Sequence, residues 1–329
     1  MRRADRPSER GAALLTVLLL VAVIAVIAGT ALERLRMATK IGINGAAMQQ
    51  ARAYAMAAEV LAVVKVSDLL ARDPGKVTLV GGWSGQPYPL PIDNGTVTAS
   101  VVDGGNCFNL NGLVTPISPG VNASYTPARL EFARLIRLVA PDTSSPESIA
   151  DAATDWIDSD TSPLPGGGED GAYAGLATPY RTPNTLMADP GELRAVKGVT
   201  PDLYARLRPW LCTLPVAELP TLNVNTLQPE QAPLIAMLFP DTLSIEAARQ
   251  VLLKRPVQGF AETGAFWSQP ALSGVTAVPG AIGQTGVTTK WFALTVKADV
   301  AGTDMESHGL IDARRLPAQL ATRQWGEPS

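Results

Sequence analysis

Between Gly11 and Leu32 the chain carries no charged side chain, and Leu, Val, Ile and Ala fill most positions. A helix of about 20 such residues crosses the ~30 Å apolar core of a bilayer. A polar leader, Met1–Gly11, precedes the run with Arg2, Arg3, Arg6 and Arg10 against Asp5 and Glu9. Such a run fits a removable signal peptide, a lasting membrane span or a buried core helix. A secretory signal has an apolar stretch of about 7–15 residues followed by a small-residue cleavage site. Here the stretch is longer and the small pair Gly11-Ala12 comes before it. A span over residues 12–32 is therefore expected, with the basic flank cytoplasmic and the rest of the chain across the membrane.

The helical pattern continues over residues 33–72, rich in Ala, Leu, Met, Gln, Arg and Glu, all good helix formers. Met48, Ala51, Ala55, Ala58, Val60 and Leu61 recur at helical spacing, which predicts a stem that packs on its own globular body or on neighbouring rods. Gly42 and Gly45 are places where it can bend, and Asp73-Pro74-Gly75 ends it. A helix from Ala12 to Leu70 would be about 90 Å long at ~1.5 Å per residue.

Beyond the stem the period changes. "GKVTLVGGW" and "NGTVTASVVDGGNCFNLNGL" read as strands, with Val97, Ala99 and Val101 on one face and Thr96, Thr98 and Ser100 on the other. "KWFALTVKADV" repeats the alternation through Phe292, Leu294, Val296, Ala298 and Val300, and "HGLIDARR" reads as the last strand. Residues 125–285 between these regions are helical in pattern. Pro127 and Pro146 stand at first-turn positions after Thr126 and Ser145 as expected caps, and Phe132, Leu135, Ile136 and Val139 form a stripe. The expected fold class is α+β: a long N-terminal helix on a small antiparallel sheet (residues 73–124 and 286–329), with an all-α domain (125–285) inserted between strands.

The formal net charge of the 329-residue chain is −3, and loss of the leader would make it more acidic. An acidic body has no broad field with which to attract nucleic acid. The one histidine, His308, lies in an expected C-terminal hairpin. No Gly-x-Ser-x-Gly, Walker or Rossmann pattern accompanies it, so no enzyme is expected. The two cysteines, Cys107 and Cys212, fit either free core residues or one bridge, depending on the compartment.

Between Arg137 and Arg181 there is no lysine or arginine, while Asp142, Glu147, Asp151, Asp155, Asp158, Asp160, Glu169 and Asp170 all fall there. Asp155 and Asp158 can share a helix face, and the glycines of "GGGED" let the chain double back toward them. Such crowding suits a calcium ion, which takes 6–8 oxygen ligands, although the spacing is not that of an EF-hand. A solvated acidic loop and a catalytic carboxylate pair are the other readings of the same residues.

"ELRAVKGVTPDLYARL" has the form helix, glycine turn, helix, with Lys197 and Gly198 at the turn. "LNVNTL…RPVQGF" brackets a second such unit, whose turn, "FPDTLS", holds an acid and no glycine. Hairpins of this kind grip phosphate through exposed amides and nearby lysines. Both are expected instead to build core through Leu193, Val196, Leu207, Leu234, Leu238, Ala248 and Val251. A membrane-anchored nucleic-acid binder of the DNA-uptake kind is the alternative function.

A charged leader, Gly11 followed by Ala12, and an apolar helix that becomes an amphipathic stem resemble a type IV prepilin or pseudopilin. "GGNCFNLNGL", "DWIDSD…GGGED…Y" and "ELRAVKGVTPDLYARLRPWLCTLP…LNVNTL" are similar to the K-type minor pseudopilin of type II secretion systems. The resemblance implies cleavage between Gly11 and Ala12 with methylation of the new N-terminus. Thr16 occupies the fifth mature position, where most of the family carries glutamate and the K type does not. It implies a tip subunit of a pseudopilus, single-pass in the inner membrane with a periplasmic head. The implied partners are minor pseudopilins of the I, J and H types, the major pseudopilin, the assembly platform and prepilin peptidase. It implies Ca2+ as cofactor, held by Asp155, Asp158, Asp160, Glu169 and Asp170, with Asn184 and the Tyr173 carbonyl as further donors. Delivery across the membrane then favours a Cys107–Cys212 disulfide joining the sheet to the inserted domain.

Overall fold

A single helix, α1 (Ser8–Arg72), opens the computed structural model, which describes residues 8–240 and 242–326. Most of the expected leader, Met1–Pro7, lies outside the described residues, as do Asp241 of the second turn and the last three positions. The helix runs unbroken through Gly42 and Gly45. Every residue from Gly11 to Ala46 is exposed, including the whole apolar window of mean hydropathy 2.9. A helix this apolar with no protein cover is long enough to cross a bilayer.

Farther along, α1 buries one stripe: Ala47, Ala51, Ala55, Ala58, Ala62, Val66 and Leu70. Spacings of three and four keep these side chains on one face. Because most are alanine, the helix axis approaches the sheet closely. Val60 and Leu61, expected in this stripe, are instead 65% and 44% exposed, and Met48 is only partly covered. The small residues choose the packed face here, and the bulkier apolar ones are left outside.

After α1 come β1 (Tyr88–Ile92) and β2 (Gly95–Asp103). The chain then enters a second body through β3 (Phe108–Asn109), β4 (Val114–Ser118), β5 (Val121–Ser124), α2 (Thr126–Val139), α3 (Pro146–Asp155) and α4 (Asp170–Tyr173). It continues with α5 (Pro201–Leu207), β6 (Leu211–Cys212), β7 (Leu222–Asn223), α6 (Ala232–Ala236), α7 (Ile245–Leu253), α8 (Thr263–Trp267) and β8 (Thr285–Gly286). β9 (Trp291–Val300), β10 (Thr303–Asp312) and β11 (Gln319–Trp325) return to the first body. The antiparallel sheet has the order β1-β2-β9-β10-β11, with Val97 opposite Ala298 and Ala99 opposite Val296 on the face that meets the stem. The α+β architecture is the expected one.

Several local expectations fail for identifiable reasons. "GKVTLVGGW" is a loop: Gly81 and Gly82 take positive φ and turn the chain, and the bridge from Ser84 to Val101 comes just after it. "HGLIDARR" does not end the sheet. His308–Asp312 close β10, and the mostly exposed strand β11 follows, held by Arg323, whose Nε donates to Glu59 Oε2 on the buried face of α1 at 2.8 Å. Thr126 is the first residue of α2 rather than its cap, and Ser145 precedes α3 without a side-chain capping bond. His308 does lie in a C-terminal hairpin as expected, within β10, with Nε2 3.1 Å from Glu306 Oε1. The inserted body begins earlier than residue 125 and is not purely helical. Phe108, Leu110, Leu113 and Val114 belong to its core, where Phe108 stacks on Phe132 at 5.1 Å, and β6, β7 and β8 add short ladders.

The two bodies meet at a polar seam. Cys107 and Cys212 are joined by a disulfide, with Cα atoms 5.8 Å apart. Beside it Asp103, at the end of β2, accepts from Gly105 N at 2.9 Å and from the hydroxyls of Thr226 and Thr289. Those hydroxyls in turn accept from Asn106 Nδ2 at 2.9 Å and Asn223 Nδ2 at 2.8 Å. Burial raises the Asp103 carboxyl to about 6 against the pull of these hydrogen bonds.

Candidate metal centre

Helix α3 ends in the acidic segment, and its own carboxylates fold the loop that follows. Asp151 and Asp155, four apart, lie on one face. Asp151 Oδ2 accepts from Gly166 N at 3.0 Å, and its other oxygen meets Arg129 Nη1 at 3.0 Å. Asp155 Oδ2 accepts from Gly168 N at 2.7 Å and Leu164 N at 3.1 Å. Only glycine fits this approach: a Cβ on Gly167 would stand 1.9 Å from Asp155 Oδ2. The glycine run is thus a sequence requirement of the carboxylate it wraps.

With the loop closed, Asp158, Asp160 and Glu169 each offer an oxygen within 4.8 Å of the others. Asp158 is 2% exposed and Glu169 8%. Asp158 Oδ1, Glu169 Oε1 and Asn184 Oδ1 are buried without a hydrogen-bond partner. A buried oxygen with no donor costs about 1–3 kcal/mol, more when charged, so three together mark a place built for something else. Asn184, held at φ +48°, turns its amide toward the cluster by donating to the Asp160 carbonyl at 2.8 Å. The second oxygen of Glu169 accepts from Thr182 Oγ1 at 2.9 Å, which leaves Oε1 facing the cluster.

The electrostatics agree with the geometry. Burial, and then the neighbouring charges of Asp160, Asp155 and Glu169, push the Asp158 carboxyl up to about 7. Burial raises Asp155 and Glu169 as well. Three carboxylates form a hard, all-oxygen donor set of the kind that calcium takes, and Asn184 Oδ1 is a further oxygen without a donor.

The expected ligands therefore separate by the use of their oxygens. Asp158, Asp160 and Glu169 converge, and Asn184 is tied to the Asp160 carbonyl with its own Oδ1 left without a donor. Asp155 is occupied by the amides of Leu164 and Gly168. Asp170 Oδ1 accepts from Thr182 N at 3.1 Å, and the Tyr173 carbonyl accepts from Leu176 N at 3.3 Å. Sequence reading missed Thr182 and gave Asp151 no role, although Asp151 precedes Asp155 by one helical turn.

The two hairpins are packing devices. Gly198 takes φ +85° and lies against Ile149, where a Cβ would meet Cγ1 at 3.2 Å. The first arm is a 3-10 segment, Pro190–Ala195, rather than an α-helix. In the second unit Asn225 pins "LNVNTL" to "GF": its Oδ1 accepts from Phe260 N at 2.6 Å and its Nδ2 donates to Phe260 O at 3.0 Å. All seven expected core residues of these units are buried. The acid of the second turn, Asp241, is outside the described residues.

Comparison with known proteins points one way. Two family models, both described as type II secretion system (T2SS), protein K, match residues 106–216 and 222–288. Type II secretion system protein K of Pectobacterium carotovorum subsp. carotovorum is 34% identical, covering 98% of each chain. The protein of the same name from Aeromonas hydrophila is 36% identical over 90% of each. A chain in the crystal structure of the GspK-GspI-GspJ complex from the enterotoxigenic Escherichia coli type 2 secretion system superposes with a TM-score of 0.72 at 30% identity. That match covers 85% of this chain and 96% of that one. The family models cover much of the inserted body and the relatives nearly the whole chain, and the chain belongs to the type II secretion system protein K family of pseudopilins.

Proposed function

We propose that this chain is the minor pseudopilin that starts and caps the pseudopilus tip, an associative rather than catalytic part of the secretion machine. Prepilin peptidase cuts between Gly11 and Ala12, Ala12 is methylated, and residues 12–32 hold the subunit in the inner membrane with the head in the periplasm. I-, J- and H-type minor pseudopilins pack on its stem, the major pseudopilin adds below, and the assembly platform drives the process. The helical body blocks addition above.

The observation that carries this reading is the half-covered stem. While alanines face the sheet, Met56, Val60, Leu61 and Val64 remain 42–65% exposed along the other side. An apolar ridge on a rod that emerges from the membrane suits another rod of the same kind. Thr16 supports the tip position. Its hydroxyl donates to the Ala13 carbonyl at 2.9 Å, so it needs no neighbouring terminal amine. The metal centre, read as a Ca2+ site of Asp158, Asp160, Glu169 and Asn184, holds the insertion in shape.

The test is co-purification of the full chain with I- and J-type pseudopilins from detergent extracts. Val60→Asp with Val64→Asp should abolish the complex while leaving the melting temperature of the chain alone unchanged. A complex that survives both substitutions overturns the stem reading.

A further inference from the structure

Lys197 sits at the first hairpin turn, where a phosphate-gripping unit would use its lysine on the ligand. Here the side chain folds back along the acidic loop while the residue stays exposed. Its Nζ donates to the Gly167 carbonyl at 2.8 Å, and its backbone N–H donates to the Tyr173 hydroxyl at 3.2 Å. One residue thereby holds the acidic loop on both sides of Glu169, at the glycine turn before it and at the end of the short helix after it. A Cβ on Gly168 would meet Lys197 Cδ at 3.1 Å, so the aliphatic stem also lies along the backbone that leads into Glu169. Tyr180 adds a second tie, donating to the Ala195 carbonyl at 2.7 Å.

Gly166, Gly167 and Gly168 form the most permissive backbone in the loop, and the carboxylates around them repel one another. Among the described residues, the Glu169 carboxylate is held at Oε2 by Thr182, and Oε1 has no partner. A tether on the Gly167 carbonyl counters both effects. We propose that Lys197 is a positioning residue of the metal centre: it fixes the glycine turn so that Glu169 Oε1 faces the ion. This rests on the metal reading above, and it gives the hairpin a use that replaces phosphate binding.

The experiment uses the full chain in detergent micelles with two probes, Ca2+ and Tb3+. Trp156, its ring 5.6 Å from Tyr173, can sensitise bound terbium. Relative to wild type, K197M should weaken Ca2+ about tenfold, the usual cost of losing an outer-shell partner. The terbium lifetimes in H2O and D2O should report extra bound water, and K197R should recover most of the affinity. Lys197→Gln gives the same comparison if the methionine variant does not fold. A purely structural lysine would lower the melting temperature equally in Ca2+ and in EDTA with no change in affinity, and that result overturns the inference. If wild type binds neither ion, the metal reading itself fails. If wild type binds and K197M binds equally well, only the role of Lys197 fails.

Discussion

Two acid sites with buried surroundings, the loop after α3 and the seam beside the disulfide, face the same problem and solve it in opposite ways. At the seam every oxygen of Asp103 has a donor, and each hydroxyl that serves it is itself served by an asparagine amide. At the loop three acids converge, and buried oxygens of Asp158, Glu169 and Asn184 have no donor. Both clusters have raised carboxyls. A raised carboxyl therefore does not mark a metal site. What sets the loop apart is its buried oxygens without donors, several of which a cation would relieve at once.

The largest expected effect comes from breaking the satisfied site. Asp103→Ala leaves the Thr289 hydroxyl and the Gly105 amide without their acceptor at the seam, while Thr226 Oγ1 keeps the Asn223 carbonyl at 3.2 Å. At about 1–3 kcal/mol per orphaned group the total loss should be about 2–6 kcal/mol. Chemical denaturation should give the same loss in calcium and in EDTA. A loss that calcium offsets would mean that the seam, too, depends on an ion.

The unsatisfied site should behave in the reverse way. Calcium at a hundredfold excess over its Kd adds about 2.7 kcal/mol, and EDTA removes it with a lower melting temperature. Asp158→Asn should abolish this calcium increment. In EDTA the same variant should equal or exceed wild type, since it removes one of three repelling charges. No response of wild type to EDTA would place the loop with ordinary solvated acids, and the contrast between the two sites would collapse.

How far each region could be read from the sequence follows from the range of its interactions. The stem and β9 announce themselves by period, because helix and strand faces are local properties. β11 was missed since it is an exposed edge strand with little apolar alternation. "GKVTLVGGW" misled because its β-branched residues suit a strand while its glycines turn. The acidic loop was visible as a cluster, but the uses of Asp155 and Asp158 differ only once Gly167 and Gly168 fold back onto Asp155. Asp103 gave no signal at all. Its partners Thr226 and Thr289 lie 123 and 186 positions away, and a single acid at a strand end looks like surface.

The smallest expected effect is a pH dependence at the seam, which sharpens the comparison because calcium should not touch it. The Asp103 carboxyl stands at about 6 in the folded chain against an ordinary 3.8. Folding therefore favours its protonated form. The stability this contributes is fully present below 3.8, declines as pH rises, and is lost through about 6. In excess calcium, where ligand carboxylates resist protonation, lowering the pH from 7 to 6 should raise stability from this group by only a few tenths of a kcal/mol. Asp103→Asn removes the titration, so subtracting its pH profile from that of wild type isolates the seam. A difference profile that is flat, or that rises with pH, would mean that the hydroxyl and amide chain holds the charged form better than its burial suggests.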